Sequence, residues 1–211
     1  MKIFIDFDDV IFNTQRFADD LRKKFELSGI SAEMFDRSYS VNFKGKLRDI
    51  KKYNVWEHLK YFESKGYDVK KAEAGVAILM KKAYKYVFKD VPDFSNSLGK
   101  KNLCILSHGD IDFQKEKIIS SKADRYFQKI IVLDKEVKSS SIKGLIPRKK
   151  IFFLDDKEVK IKEVKSKLPH VTTFLVKRKR RHHEDKKSRY CDFEVRSLKE
   201  AAKIITRINN S

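Results

Sequence analysis

The stretch IFIDFDDVIFNT, residues 3–14, decides the fold class. Its apolar, β-branched and aromatic opening predicts a short strand over residues 2–7. Asp6 and Asp8 end this run two residues apart, so strand alternation places their side chains on one side and Phe7 on the other. Adjacent carboxylates repel each other unless a proton or cation lies between them. We therefore expect a hydrated Mg²⁺ at this position, because Mg²⁺ prefers oxygen ligands.

Further apolar runs predict more strands, at 102–106, 129–133, 151–154, 171–176 and, as a short last one, 192–195. Helical patterns lie between and after them, at about 113–122, 157–167 and 197–208. This alternation predicts an α/β fold with a doubly wound parallel sheet. Ligands bind such sheets at the carboxyl ends of the strands. Ser107, Asp155 and Asp156 follow two of the predicted strands and join Asp6 and Asp8 as site candidates.

Residues 15–98 have a different pattern, dense in aromatic residues and in Lys-rich helical periods. Phe17, Leu21 and Phe25 recur every four residues, which predicts a helix starting near residue 15. We predict a mostly helical insertion over 15–98 with its own small core. The α/β core would then consist of residues 1–14 and 99–211.

The net charge of +19 creates a field that attracts anions, among them phosphorylated small molecules, nucleic acids and acidic membranes. An alternative is a Lys-rich composition spread over solvated faces. The loop KRKRRHHEDKKSR, residues 177–189, has eight basic and two acidic residues. It is interpreted either as a contact for nucleic acid phosphates or as a solvated loop.

Cysteine usage and hydropathy bear on the compartment. Cys104 and Cys191 form neither a disulfide framework nor a metal-binding spacing, which favours a reducing environment. The apolar start of the chain is too short for a signal peptide, and no run approaches the roughly 20 apolar residues of a membrane span. We expect a cytoplasmic protein without a membrane partner.

Three segments resemble motifs of the haloacid dehalogenase (HAD) superfamily. Residues 3–14 resemble the first motif, LCILSHGD at 103–110 the second, and IFFLDD at 151–156 the fourth, in the family's order and strand context. The sequence departs from the common pattern at Asp9, where many members have glycine, and at Val10, where many phosphatases have threonine. These departures leave the reaction class intact and the subfamily open.

The resemblance implies a role for each candidate. Asp6 would be the nucleophile and a metal ligand, and Asp8 the general acid and base with its backbone carbonyl on the metal. Ser107 would bind the phosphoryl oxygens. Asp155 would bind Mg²⁺ directly, and Asp156 would support Asp155 in the metal site.

The family's third motif is a single lysine that binds the substrate phosphate. Lys138 begins the pattern KSSSIKGLI at a plausible helix start and is preferred, with Lys135 as the alternative. Lys143 is too close to the acid pair. His108, next to Ser107, could contact substrate, although a loop residue is the more common explanation.

The resemblance therefore implies a Mg²⁺-dependent phosphomonoester hydrolase that forms an aspartyl-phosphate on Asp6. Its substrate would be a phosphorylated small molecule such as a nucleotide, or a nucleic acid end. The insertion at 15–98 lies where the family has a C1-type cap, so it would shape substrate choice. The alternative hypothesis is a HAD-fold protein that binds nucleic acid through its basic surface, with weak or lost catalysis.

Overall fold

One sheet of six strands organises the fold, in a computed structural model that describes residues 1–44, 52–134, 137–143, 150–178 and 188–210. The strands are β1 (Lys2–Ile5), β2 (Leu103–His108), β3 (Lys129–Leu133), β4 (Ile151–Asp155), β5 (Thr172–Val176) and β6 (Phe193–Val195). Their order across the sheet is β3-β2-β1-β4-β5-β6, and every neighbouring pair is parallel. The predicted α/β fold with a doubly wound parallel sheet is confirmed.

β1 is a central strand because its side chains are apolar on both faces. Ile3, Phe4 and Ile5 are all buried. Such a continuous apolar run is typical of a parallel sheet that helices cover on both sides. Ile3 pairs with Leu103 of β2 on one edge and with Phe152 of β4 on the other.

β1 is shorter than the predicted strand over residues 2–7, since it ends at Ile5. The reason is a tight turn directly after it. The backbone N–H groups of Ile11 and Phe12 both donate to the carbonyl of Phe7, each over 3.0 Å. These bonds draw the chain out of the strand direction.

β2 extends beyond its predicted end at residue 106 and finishes with His108. The extension forms because Ser107 and His108 pair with Val132 and Leu133 of β3. Ladder pairing with the neighbouring strand thus overrides the polar character of the two residues.

Helices cover the sheet and fill the insertion. In the described residues they are α1 (Thr14–Glu26), α2 (Ala32–Lys44), α3 (Val55–Glu63), α4 (Lys70–Lys81), α5 (Val91–Leu98), α6 (Ile111–Ser120), α7 (Ser139–Lys143), α8 (Glu158–Lys167) and α9 (Leu198–Asn210). The helical period in α1 is confirmed, since Phe17, Leu21 and Phe25 are buried. The predicted N-cap of α9 is also present: the Ser197 hydroxyl accepts a hydrogen bond from the Glu200 N–H at 3.2 Å.

The chain divides into two compact units. The sheet unit comprises Met1–Asn13, Val87–His108 and Ala123–Ser211, and the helical unit comprises Thr14–Tyr86 and Gly109–Lys122. The sequence predicted one helical insertion over 15–98. In the structure the first segment of the helical unit ends at Tyr86. Its second segment, Gly109–Lys122, contains α6 and follows β2.

The core of the helical unit is an aromatic cluster around a buried histidine. The ring centroids of Phe25, Phe35 and Phe62 lie 4.8, 5.1 and 5.2 Å from that of His58. The Nε2 atom of His58 lies 2.7 Å from the hydroxyl oxygen of Ser38. Burial lowers the pKa of His58 to about 4, so the imidazole is neutral at physiological pH.

Both cysteines are free thiols. Burial raises the pKa of Cys104 to about 11, which makes this thiol a weak nucleophile.

Among the described residues, none of the helices has both the length and the apolar character that crossing a bilayer requires.

His58 should make the helical unit sensitive to acid. The folded-state pKa lies below the ordinary value of 6.5, so between about pH 6.5 and pH 4 the unfolded chain binds a proton that the folded chain excludes. The free energy of unfolding should be highest above pH 6.5 and fall by about 3 kcal/mol as the pH drops to 4. Urea unfolding followed by the fluorescence of Trp56, the single tryptophan and part of α3, measures it.

The matched variants are His58→Gln, which removes the titrating group and keeps a polar side chain, and His170→Gln, at an exposed position. The pH slope should flatten in the first variant and persist in the second. An identical slope in wild type and His58→Gln would contradict the assignment.

Candidate active site

The sheet reverses its winding direction between β1 and β4. From β1 the strand order continues through β2 and β3 on one side, and from β4 through β5 and β6 on the other. Loops leaving the two neighbouring strands therefore diverge and open a crevice at their carboxyl ends. Asp6 follows β1, and its N–H donates to the Leu154 carbonyl at 2.9 Å; Asp155 ends β4. The two acids thus lie at the switch point.

Three carboxylates converge there. Asp6, Asp155 and Asp156 are all buried, and one oxygen of each lies within 4.8 Å of the others. Burial is the main cause of a rise in the pKa of Asp6 to about 6, with the charges of Asp155 and Asp8 adding to it and Lys138 opposing it. Burial, followed by the charges of Asp155 and Asp6, raises the pKa of Asp156 to about 8. The cluster therefore favours a bound cation or a bound proton.

Lys138 supplies a positive charge inside the cluster. Its Nζ lies 2.5 Å from Asp6 Oδ1 and 2.7 Å from Asp155 Oδ2, and its side chain is 2% exposed. Burial acts against its charged form, but the charges of Asp155 and Asp6 outweigh burial and raise the pKa of Lys138. Lys143 is exposed at the end of α7, and Lys135 lies outside the described residues.

Glu163 of α8 holds the backbone that carries Lys138. The Glu163 carboxylate accepts hydrogen bonds from the N–H of Lys138 at 3.1 Å and from the Ser139 hydroxyl at 2.5 Å. It also accepts a weaker bond from the Ser139 N–H at 3.4 Å. A negative group at this position satisfies backbone donors at the start of α7. Glu163 is not predictable from the sequence, because a cap supplied by another helix leaves no local motif.

Asp8 lies in the turn that follows Asp6. It is partly buried, and its charge contributes to the raised pKa of Asp6 after burial and the nearer charges. The next residue, Asp9, has a φ of 62°, a conformation that glycine adopts without strain. The Asp9 N–H donates to the Phe12 carbonyl at 2.7 Å and closes the turn. Asp9 thus has a backbone conformation that would suit glycine, the common residue at this position of the motif that residues 3–14 resemble.

Ser107 and His108 lie at the carboxyl end of β2, beside β1. Ile5 pairs with Ile105, so Ser107 lies two residues beyond that pair, at the same edge of the sheet as Asp6. Ser107 is 1% exposed, whereas His108 is partly exposed. The second motif thus contributes a buried hydroxyl at the edge where the acids lie.

Lys157 is a further cation at this edge. Its N–H donates to Asp155 Oδ1 at 2.9 Å. The residue is exposed at the surface. Partial desolvation of its ammonium acts against the charged form, but the four acids Asp6, Asp156, Asp155 and Asp8 together raise its pKa. The sequence analysis did not select this residue, although its position directly after the paired acids was a usable signal.

The charge balance of the cluster matches a divalent cation. With all three carboxylates ionised, the state that a bound cation favours over a bound proton, the ammonium of Lys138 leaves a formal charge of −2. The donors are oxygen atoms only, as Mg²⁺ prefers. Asp6, Asp155 and Asp156 therefore fit a bound Mg²⁺.

No protein-family model matches the sequence, and no curated protein matches it either. Solved structures do match over nearly the whole chain. A Burkholderia xenovorans protein classed as haloacid dehalogenase-like has a TM-score of 0.72 at 17% identity, over 95% of this chain and 96% of its own. The HAD phosphatase of Thermococcus onnurineus has a TM-score of 0.64 at 19% identity, over 97% and 98%.

A Bacillus subtilis protein classed among the HAD hydrolases and solved with magnesium has a TM-score of 0.63 at 17% identity, over 97% of each chain. A dehalogenase and the L-2-haloacid dehalogenase of Xanthobacter autotrophicus are also among the matches.

The parallel sheet and the acids at its switch point place the chain in the class of Rossmann-like α/β proteins. Within that class, the solved structures show that the chain has the fold of the haloacid dehalogenase-like hydrolases.

Mg²⁺ should stabilise the protein through the acid cluster. Ligand at about a hundredfold excess over Kd adds about 2.7 kcal/mol to the free energy of unfolding. The melting temperature of wild type should therefore rise on addition of MgCl₂, as differential scanning calorimetry would record. Asp155→Asn should lose this rise, because it removes one of the charges that hold the cation.

Asp93→Asn is the matched control, since Asp93 is an exposed acid in the first turn of α5. It should keep the full effect of Mg²⁺. An equal rise in all three proteins, or none in wild type, would rule out a cation site at Asp155.

Proposed function

We propose that the protein is a Mg²⁺-dependent phosphomonoester hydrolase that uses Asp6 as its nucleophile. The observation that carries this proposal is the position of the Lys138 ammonium between Asp6 and Asp155, next to a third buried carboxylate. This arrangement provides a nucleophile, a buried positive charge for phosphoryl oxygens and a net negative site for a divalent cation.

The reaction proceeds in two steps. In the first, Asp6 attacks phosphorus and forms an aspartyl-phosphate, while the bond from phosphorus to the leaving oxygen breaks and Asp8 gives that oxygen a proton. In the second, Asp8 takes a proton from water as the water oxygen attacks the same phosphorus. The bond between Asp6 and phosphorus then breaks, and inorganic phosphate leaves.

The remaining candidates bind and orient the phosphoryl group. Lys138 and the Ser107 hydroxyl donate hydrogen bonds to its oxygens and stabilise charge in the transition state. Asp6, Asp155 and Asp156 would hold Mg²⁺, which when bound neutralises phosphoryl charge and fixes its orientation.

Phosphoryl transfer fits the charge of the site better than halide displacement, the reaction named for some proteins of similar fold. Displacement from a haloacid releases an anion. A cluster with a formal charge of −2 repels a departing halide unless a cation is added. Mg²⁺ bound to the same cluster would compensate this charge, and the cation could contact the phosphoryl oxygens of an ester directly.

Substrate choice would depend on the insertion that the sequence places at 15–98. The helical unit supplies most of these residues and adds α6. A net charge of +19 favours an anionic substrate, either a phosphorylated small molecule such as a nucleotide or a nucleic acid end.

We propose a cytoplasmic location, in keeping with the free cysteines.

The alternative of a nucleic-acid-binding protein with lost catalysis rests on charge alone. Most of the basic loop at 177–189 lies outside the described residues. Binding to an oligonucleotide that weakens steeply with salt, and is unchanged in Asp6→Asn, would favour this alternative.

The reaction is tested with p-nitrophenyl phosphate followed by a panel of natural phosphomonoesters. Wild type with Mg²⁺ should release phosphate, and Asp6→Asn should lower kcat at least about a thousandfold, because the nucleophile is lost. Removal of Mg²⁺ with EDTA should abolish activity until Mg²⁺ is restored. Malachite green detection of phosphate measures both.

Asp93→Asn serves again as the variant that changes the same charge at an exposed position and should keep full activity. Phosphate release that persists in Asp6→Asn would remove Asp6 from the mechanism. Chloride release from 2-chloropropionate, with every phosphomonoester left intact, would replace phosphatase by dehalogenase.

A further inference from the structure

Arg178 lies two residues after β5 and has its guanidinium buried among three partners of the sheet unit. Its Nε donates to the Val10 carbonyl at 2.9 Å. Its two terminal nitrogens donate to the two carboxylate oxygens of Asp90, at 3.2 and 2.9 Å. The guanidinium carbon lies 3.7 Å from the centroid of the Phe88 ring, and the side chain is 10% exposed. Three of its nitrogen atoms thus donate hydrogen bonds, and its plane lies against an aromatic ring.

These partners belong to the two segments through which the chain leaves and re-enters the sheet unit. The chain leaves after Asn13 and returns at Val87. The two segments are already paired, since Phe12 forms an antiparallel bridge with Val87 and the Phe88 N–H donates to the Ile11 carbonyl at 3.0 Å. Arg178 thus contacts the backbone of the first segment, at the Val10 carbonyl. In the second segment it contacts the side chains of Asp90 and Phe88.

Asp90 connects this arrangement to the helices of the sheet unit. It precedes α5, and its Oδ2 accepts a hydrogen bond from the Leu198 N–H at the start of α9, at 2.8 Å. Its carboxylate thus satisfies a backbone donor at a helix N-terminus while it pairs with Arg178. The anchor for Arg178 is rigid because two helices hold it.

The first segment is the turn that carries Asp8. Its residue Asp9 has a φ of 62°, and a non-glycine residue keeps such a conformation only where the surroundings hold it. Hydrogen bonds within the turn run from the N–H groups of Ile11 and Phe12 to the Phe7 carbonyl. Arg178 adds an anchor from the segment that follows β5, at the carbonyl of Val10, the residue after Asp9.

We propose that Arg178 is a positioning residue for the reaction, which fixes the turn of residues 8–12 through the Val10 carbonyl and thereby the carboxylate of Asp8. This role rests on the function proposed above, in which Asp8 protonates the leaving oxygen. Asp8 follows the nucleophile by two residues, so a displacement of the turn changes the distance from its carboxylate to that oxygen. A misplacement of about 1 Å can lower a rate about a hundredfold.

The geometry requires an arginine. A planar guanidinium donates to the carboxylate and to the carbonyl at once and also stacks on an aromatic ring. A lysine keeps the charge opposite Asp90 but has no rigid fork with which to reach Val10 at the same time. Arg178→Lys should therefore fold and still lose the anchor of the turn.

The experiment compares kcat/KM on two substrates, p-nitrophenyl phosphate and an alkyl phosphate. Nitrophenolate leaves without a proton, whereas an alkoxide needs one from Asp8. Arg178→Met and Arg178→Lys should lose about tenfold to a hundredfold on the alkyl phosphate and less than about threefold on the aryl phosphate. General loss of fold would lower both values by the same factor.

Two further variants complete the design. Asp9→Gly in the Arg178→Met background should recover part of the alkyl phosphate activity, because glycine adopts a positive φ without strain. Arg189→Met is the matched control: it removes an exposed guanidinium that lies 4.9 Å from the Tyr190 ring centroid, and it should keep the activities of wild type.

Amide hydrogen exchange tests this inference independently of the proposed function on which it rests. The N–H groups of Ile11 and Phe12 should exchange faster in both Arg178 variants than in wild type and Arg189→Met. Unchanged exchange, or equal losses on the two substrates, would overturn the role of Arg178. A wild type inactive on all phosphomonoesters would overturn the proposed reaction and with it the catalytic part of this role. The exchange rates would still decide whether Arg178 holds the turn.

Discussion

The Lys138 ammonium lies between Asp6 and Asp155, and this contact needs three distant parts of the chain in place at once. Asp6 comes from the end of β1, Asp155 from the end of β4, and Lys138 from the residue before α7. An unpaired charge at this depth would cost several kcal/mol, so removal of Lys138 would leave the Asp6 and Asp155 carboxylates without compensation. The switch point of the sheet places Asp6 next to the strand that ends in Asp155. The Glu163 carboxylate accepts a hydrogen bond from the Lys138 N–H and so holds the backbone that carries the lysine.

The excess of negative charge that remains connects the fold to chemistry. A cluster made neutral by its own lysine would have little affinity for a cation, whereas a formal charge of −2 favours a divalent one. The turn after Asp6 adds the carboxylate of Asp8, whose charge acts on Asp6, and it holds the next residue, Asp9, at a φ of 62°. Stability alone does not favour this arrangement of like charges and strain, and such features concentrate at functional sites.

Much of the sheet could be predicted from sequence because its signals are local. Apolar runs with polar ends predicted β1, β2 and β4. The polar residues at the ends of these runs predicted a site at one edge of the sheet. Lys138 had no such signal, and only the resemblance to the HAD superfamily selected it among many lysines. Glu163 and Arg178 were missed because each acts on backbone groups far away in sequence, as Arg178 does at Val10. The assignment of α6 to the helical unit depends on packing in the same way.

The place of β1 in the sheet has a consequence for the order of folding during synthesis. β1 is made first, yet its two neighbours, β2 and β4, follow only after residues 103 and 151. Until then both edges of an apolar strand lack partners, and such edges pair readily with other chains. Closure over so long a loop is also slow. The nascent chain therefore carries an apolar strand without its full set of partners until β4 has been made, whereas the first segment of the helical unit is already complete at Tyr86.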